Sequence, residues 1–127
     1  MNIAIDIDDT VTAMPEFFKA LTETFAKKGH QVHIVTSRAE VGENRKKTIE
    51  ELSGLGVVFH KLYFLPTQSI AEETCPHQEL DWYNKYLHQK VAYCLQNDIS
   101  VYFDDDPKVI ELFKKFAPKI KILQPVK

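Results

Sequence analysis

The sequence lacks several features that mark particular classes of protein. Its two cysteines, Cys75 and Cys94, are far apart and without metal-site spacing, so we expect free thiols and a reducing compartment, the cytoplasm. No apolar run approaches the roughly 18 residues that span a bilayer. Charge also appears by Asp6, too early for the apolar region of a signal peptide. These absences predict a protein without a membrane partner.

No charge of one sign dominates either. The 16 lysines and arginines nearly balance the 18 aspartates and glutamates, which leaves a formal net charge of −2. This balance gives no electrostatic reason to expect nucleic acid as a bulk partner. Repeats, linkers and low-complexity tracts are absent as well, so the length and the 44% hydrophobic content predict a single globular domain over residues 1–127.

Short apolar runs alternate with amphipathic segments along the whole chain. The runs predict five strands, at residues 3–7, 31–35, 57–65, 99–103 and 120–123. The segments predict four helices, at residues 14–25, 43–53, 80–95 and 107–116. Residues 66–76 show no periodicity and are predicted to be a long loop. The alternation predicts an α/β fold with one doubly wound, Rossmann-like parallel five-stranded sheet flanked by helices.

Two acidic clusters follow the first and fourth predicted strands. Asp6, Asp8 and Asp9 end the first strand, and Asp104-Asp105-Asp106 ends the fourth. A doubly wound sheet reverses its winding once, which would make these two strands neighbours, and ligands bind at the carboxyl ends of strands beside that reversal. Packed carboxylates repel one another unless they bind a cation, and their oxygens suit Mg²⁺. The clusters therefore predict a Mg²⁺ site, with one aspartate as nucleophile and its neighbour as general acid.

The acidic clusters also carry a resemblance to a known family. Asp6-Ile7-Asp8-Asp9-Thr10 after an apolar strand, with Phe103-Asp104-Asp105-Asp106-Pro107 later, resembles the haloacid dehalogenase superfamily of phosphotransferases. The resemblance implies that Asp6 is the nucleophile and a metal ligand. Asp8 would be the acid and base, giving its backbone carbonyl to the metal, and Asp105 would be the further ligand. Asp104 would orient Asp105 or the family's lysine.

Two further motifs of that family have candidates in the chain. Residues 32–38 end in Thr36-Ser37-Arg38, and the resemblance implies that Thr36, or alternatively Ser37, hydrogen-bonds the transferring phosphoryl group, with Arg38 also contacting the substrate. The motif lysine is Lys90 or Lys85, and the family's usual spacing before the acidic pair favours Lys90, which would contact substrate and act in catalysis. Asp105 or Asp106 is also suited to cap the helix that begins at Pro107.

The resemblance implies a phosphatase acting on a small phosphorylated substrate, without the large cap domain of longer members. Such an open site admits bulky substrates or takes a lid from another subunit of a homo-oligomer. Residues 66–81 offer neutral hydrogen-bonding groups and no run of lysine or arginine, so we expect them to select a sugar or nucleoside monophosphate. The groups are those of Gln68, Ser69, Thr74, His77 and Gln78.

Two alternative functions are compatible with parts of this pattern. A receiver domain of a response regulator has a similar size and fold, but it requires a phosphoacceptor aspartate at the end of the third strand, where this chain has Tyr63-Phe64-Leu65. A non-catalytic binding protein on the phosphatase fold would keep the fold without the activity. Because every expected catalytic residue type is present, the enzyme is the favoured interpretation.

Overall fold

The structure, a computed structural model, describes residues 1–125. An irregular turn over Ile7–Val11 follows the first strand. The strands are β1 (Asn2–Ile5), β2 (Gln31–Thr36), β3 (Lys61–Phe64), β4 (Ile99–Phe103) and β5 (Lys121–Leu123). The helices are α1 (Pro15–Lys27), α2 (Asn44–Gly54), α3 (Gln68–Thr74), α4 (Trp82–Gln96) and α5 (Pro107–Phe116).

All five strands form one parallel sheet in the order β3-β2-β1-β4-β5. The central strand β1 pairs with β2 on one side and β4 on the other, so that Ala4 lies between His33 and Tyr102. This order confirms the predicted doubly wound α/β fold. It also confirms that the first and fourth strands are neighbours, so both acidic clusters lie side by side at the carboxyl ends of the strands.

Hydrophobic side chains cover both faces of the sheet. Ile3 and Ile5 pack on one face with Phe18 of α1, whereas Ala4 packs on the other with Val91 of α4. A strand buried on both faces needs apolar residues at nearly every position, which explains the almost continuous apolar run of β1. Cys75 and Cys94 are buried free thiols, as predicted. Within residues 1–125, no helix has the length and apolar character needed to cross a membrane.

The prediction of a loop at residues 66–76 is wrong. Seven of these residues form α3, which packs against α4, so the described chain has five α-helices rather than four. Thr67 caps α3, since its hydroxyl accepts a hydrogen bond from the backbone N–H of Ile70. With two turns and one buried residue, Ala71, the helix is too short for an apolar periodicity to appear in the sequence.

The predicted third strand, at residues 57–65, was too long. Only Lys61–Phe64 form β3. The backbone N–H of Val57 donates to the carbonyl of Leu52, and that of Val58 donates to the hydroxyl of Thr22. The backbone N–H groups of Val57 and Val58 are thus hydrogen-bonded to α2 and α1 and not to β2. The two valines are apolar, which suggested a strand, but they lie outside the sheet.

Candidate active site

The first acidic cluster lies on an irregular turn directly after β1. The backbone N–H of Asp6 donates to the carbonyl of Phe103 at 2.9 Å, which holds Asp6 against the end of β4. Asp8 is extended, whereas Asp9 has a φ of 60°, a left-handed conformation that aspartate tolerates better than most residues. The turn changes the direction of the chain and directs the acidic side chains over the edge of the sheet.

A buried lysine joins the two acidic clusters. Nζ of Lys90, in α4, lies 3.1 Å from Oδ1 of Asp6 and 2.8 Å from Oδ2 of Asp104. Lys90 is 3% exposed and Asp104 is fully buried. Burial alone would lower the pKa of Lys90, but attraction to Asp6 and Asp104 outweighs it and raises that pKa above its ordinary value. Lys90 therefore carries its charge in the interior, held by two carboxylates.

Asp104 serves as the anchor of this network. Its Oδ2 accepts hydrogen bonds from Lys90 and from the hydroxyl of the fully buried Tyr102, the latter at 2.5 Å. Its Oδ1 accepts the backbone N–H of Asp106 at 2.9 Å. Three donors thus fix both oxygens of Asp104, and this fixes the lysine in turn.

Burial also changes the acidity of Asp6. It raises the pKa of Asp6 to about 7, opposed by attraction to Lys90 and reinforced by repulsion from Asp104. One lysine among these carboxylates leaves an excess of negative charge in a site that water barely reaches. This is the electrostatic situation that a bound cation relieves.

Three carboxylates of the two clusters can hold a metal ion. Asp6, Asp104 and Asp105 each offer one oxygen, and these oxygens lie within 4.8 Å of one another. The hydroxyl of Thr10 lies 3.2 Å from both Asp6 Oδ2 and Asp105 Oδ1 and links the clusters directly. Hard carboxylate oxygens are the donors that Mg²⁺ prefers, so the donor set fits the predicted ion. Both oxygens of Asp104 and both oxygens of Asp6 already accept hydrogen bonds, and Oδ1 of Asp105 accepts one from Thr10.

Asp8 belongs to a second, more exposed network. Its side chain is 58% exposed and accepts two hydrogen bonds from Arg38, at 2.9 and 2.7 Å. Arg38 also donates to Glu51 at 2.8 Å and to Thr48 at 3.2 Å, both on α2. The hydrogen bonds from Arg38 hold the pKa of Asp8 below its usual value, against the opposing effect of burial. The carboxylate of Asp8 is therefore held towards α2, outside the group of three aspartates.

The segment after β2 places its two hydroxyls differently. Thr36 is fully buried, and its Oγ1 accepts the backbone N–H of Arg38 at 3.1 Å. Ser37 is exposed, and its carbonyl accepts a hydrogen bond from the hydroxyl of Tyr86 at 3.0 Å. Of these two residues Ser37, the alternative candidate, lines the cleft above the aspartates, whereas Thr36 lies beneath it and stabilises the turn.

The cleft itself has a volume of about 300 Å³. Lys90 is at its base, whereas Lys85 lies away from it and donates to Gln78 at 3.3 Å. Asp106 caps α5, as one of the two predicted candidates, by accepting the backbone N–H of Lys108. The cleft is lined by Asp6, Asp8, Asp9, Ser37, Tyr83, Leu87, Lys90, Asp104, Asp105, Asp106 and Pro107.

Several residues of the site were not identified from the sequence. Thr10 belongs to the motif Asp6-Ile7-Asp8-Asp9-Thr10, but no role of its own was assigned to it from the sequence. Tyr102 lies two residues before Asp104, and this proximity was the only signal that could have identified it. Thr48 and Glu51 are three residues apart on a helix and so share a face, which suits two contacts to one arginine. Nothing in the sequence indicates which of the 16 lysines and arginines they would bind.

The polar side chains expected to select the substrate mostly make internal contacts. The Thr74 hydroxyl donates to the carbonyl of Ile70, and the Gln78 amide donates to the carbonyls of Glu72 and Cys75. His77 stacks on Phe116, with ring centroids 3.9 Å apart. These three groups therefore stabilise α3 and the turn after it.

Comparisons with known proteins give the fold and little more. No family model matches the chain, and no curated protein matches it in sequence. A chain in a structure described as that of the Pnkp1/Rnl/Hen1 RNA repair complex has a similar fold, with a TM-score of 0.66 at 12% sequence identity. The match covers 98% of this chain and 42% of that chain, so this protein spans less than half of the longer one. At this identity the likeness concerns the α/β fold alone.

Proposed function

We propose that the protein is a Mg²⁺-dependent phosphatase of the haloacid dehalogenase type, which hydrolyses a phosphate monoester through an aspartyl-phosphate on Asp6. The observation that carries the proposal is the buried contact of Lys90 with Asp6 and Asp104 beside Asp105. A buried lysine held by two aspartates next to a third carboxylate has the charges needed to bind both a divalent cation and a phosphoryl group. These residues come from three separate segments of the chain.

Asp6 and Lys90 perform the first step in this mechanism. A carboxylate oxygen of Asp6 attacks phosphorus, and the bond from phosphorus to the ester oxygen breaks as the aspartyl-phosphate forms. When bound by Asp6 and Asp105, Mg²⁺ would supply positive charge against the phosphoryl oxygens. Lys90 stabilises the developing negative charge from its fixed position, which requires no reorganisation during the reaction.

Asp8 moves the protons. It donates a proton to the departing ester oxygen, then takes a proton from the water that attacks the aspartyl-phosphate, releasing phosphate and restoring Asp6. While bound to Arg38, Asp8 is ionised and cannot donate. Its side chain is 58% exposed and lines the cleft, and separation from Arg38 would remove the main effect that lowers its pKa.

The substrate we propose is a small phosphate monoester, a sugar phosphate or a nucleoside monophosphate. An open cleft of about 300 Å³ accommodates a phosphoryl group together with the atoms next to it. Because a structurally similar chain occurs in an RNA repair complex, a short RNA with a terminal phosphate belongs in the same substrate screen. A second copy of the chain is the candidate for any lid.

The substitution Asp6→Asn tests the mechanism. We expect it to abolish turnover of an aryl phosphate while leaving the circular dichroism spectrum unchanged, because the amide cannot act as the nucleophile. The control is Asp98→Asn, which makes the same chemical change at an exposed aspartate outside the site. Mass spectrometry after acid quenching should find a phosphoryl group on Asp6 of the wild type. Wild-type turnover by Asp6→Asn would contradict the mechanism.

A further inference from the structure

A second cavity opens beside the active-site cleft. It has a volume of about 330 Å³ and lies where β2 and β3 end, between the segment after β2 and the start of α3. We call it the side cavity. Six of its lining residues are Ala39, Val41, Leu65, Pro66, Ile70 and Tyr86.

The side cavity and the active-site cleft share a wall. Tyr86 lines the side cavity, and its hydroxyl donates to the carbonyl of Ser37, which lines the cleft. The cleft lies over β1 and β4, and the side cavity lies over β2 and β3. With a spacing of about 4.8 Å between neighbouring strands, the two centres are displaced by roughly 10 Å along the edge of the sheet. A ring joined to the phosphoryl group through a few bonds therefore extends from the cleft towards the side cavity.

The chemistry of the side cavity differs from that of the cleft. Its lining is mainly aliphatic and aromatic, and no lysine or arginine is among the described residues that line it. Its one charged residue, Glu40, is paired with Arg45. Val41 and Ile70 are 63% and 45% exposed, so two aliphatic side chains face solvent in an otherwise concave surface. Arg45 lies over the ring of Phe64, but its charge is paired with Glu40, so the surface favours an uncharged ring over a second phosphate.

We propose that the side cavity binds the leaving group of the substrate, and that this group carries an uncharged aromatic ring. The inference rests on the proposed phosphatase function and narrows it, since it favours an aryl or nucleobase-containing monoester over a simple sugar phosphate and over a polyanion. The aromatic lining residues Tyr86 and Phe64 suit a planar ring. Substrate selection is thus assigned to apolar residues before and within α3, Leu65, Pro66 and Ile70, and not to the polar side chains of residues 66–81.

The test compares two esters and two matched variants. The esters are 1-naphthyl phosphate, which has an apolar ring system, and glycerol 3-phosphate, which has none. Ile70→Ala removes apolar surface from the side cavity, and Ile49→Ala removes it from an exposed position on α2 that does not line the cavity. We expect Ile70→Ala to raise KM for 1-naphthyl phosphate about fivefold to tenfold with kcat nearly unchanged, because ring binding is lost while the reacting groups stay in place.

The same variant should leave both constants for glycerol 3-phosphate unchanged, and Ile49→Ala should change neither ester. An equal effect of Ile70→Ala on both esters, or no effect on either, would overturn the assignment. Ile70 is partly exposed, so its truncation should not prevent folding, and a thermal melt checks this.

A binding experiment separates this inference from the proposed function. The Asp6→Asn protein is titrated with 1-naphthyl phosphate, and binding is followed by naphthyl fluorescence, with and without Ile70→Ala. About fivefold weaker binding of 1-naphthyl phosphate by the double variant supports the side cavity. It does so even if the wild type hydrolyses neither ester, because that absence of hydrolysis would count against the phosphatase activity and not against the binding site. Equal binding by both proteins refutes the side cavity, whatever the activity.

Discussion

Two ionic networks in this protein have the same pattern of charges, one cation and two carboxylates, but opposite surroundings. In one, Lys90 binds Asp6 and Asp104, and the lysine is 3% exposed. In the other, Arg38 binds Asp8 and Glu51, whose side chains are 58% and 40% exposed. Each network therefore places one cationic side chain between two carboxylates, but the first lies in the interior and the second faces water.

Because of this difference in burial, we expect the side chain of Asp6 to be fixed in position and that of Asp8 to be mobile. Removing one partner from a buried pair leaves a charge without compensation, whereas exposed pairs contribute little because water replaces them. The nucleophile proposed here, Asp6, is in the network that cannot rearrange cheaply. The proposed acid, Asp8, is in the one that can. An enzyme that attacks from a fixed position and transfers protons with a moving carboxylate needs both kinds.

Removing the buried base should have the largest effect. Lys90→Met keeps the length of the side chain but leaves Asp6 and Asp104 without a cation, so we expect the free energy of unfolding to fall by about 3–5 kcal/mol and turnover to be lost. Urea unfolding and an aryl phosphate assay measure the two effects. Lys85→Met, on the same helix and away from the cleft, is the control. A loss of stability no greater than that of the control would show that the buried network is not strongly coupled.

Magnesium should compensate the same network in a way that depends on pH. The pKa of Asp6 is raised from 3.8 to about 7, so its proton stabilises the metal-free folded state fully below about pH 4, and this contribution is lost as the pH rises through about 7. Mg²⁺ competes with that proton. We therefore expect the Mg²⁺-dependent increase in Tm to be larger at pH 8 than at pH 6, as measured by thermal melts.

Asp105→Asn is the control for the metal experiment, because it removes one proposed ligand and leaves Lys90 in place. Its Tm should respond little to Mg²⁺ at either pH. Equal Mg²⁺ shifts in the wild type and in Asp105→Asn would mean that the two acidic clusters do not share a metal ion.

The exposed network should give the smallest change in stability and a selective change in rate. Glu51→Gln weakens the anchor of Arg38, so we expect the free energy of unfolding to change by less than about 1 kcal/mol. Turnover of esters with poor leaving groups should fall on the order of tenfold, because Arg38, no longer shared with a carboxylate at position 51, pairs more strongly with Asp8 and keeps this acid ionised. Esters with good leaving groups, which need the acid less, should be affected less.

The neighbouring, exposed Glu50 provides a matched control. Glu50→Gln removes the same charge from α2, so any effect that it shares with Glu51→Gln reflects net charge alone. Equal losses for good and poor leaving groups in Glu51→Gln would contradict a role through Asp8.

The sequence predicted those features of the site that are set by the course of the backbone, and not those set by side-chain conformation. The position of Asp6 beside Asp104 follows from two apolar strands and the winding rule of α/β sheets, and the chain obeys that rule. The contact of Asp8 with Arg38 follows from side-chain geometry, which a pattern of charges does not specify. For the same reason the sequence could not show that the Thr36 hydroxyl accepts a hydrogen bond from the following turn. The helix α3 was missed because two turns carry no measurable period.

The central position of β1 has a consequence for the synthesis of the protein. Asn2 pairs with Ile99, so the partner of the first strand leaves the ribosome roughly a hundred residues later. At about 5–20 residues per second, the isoleucines of β1 remain without that neighbour for on the order of 5–20 s. During that interval Asp6 has neither Lys90 nor the second acidic cluster beside it. The nascent chain therefore carries the proposed nucleophile long before it carries a site.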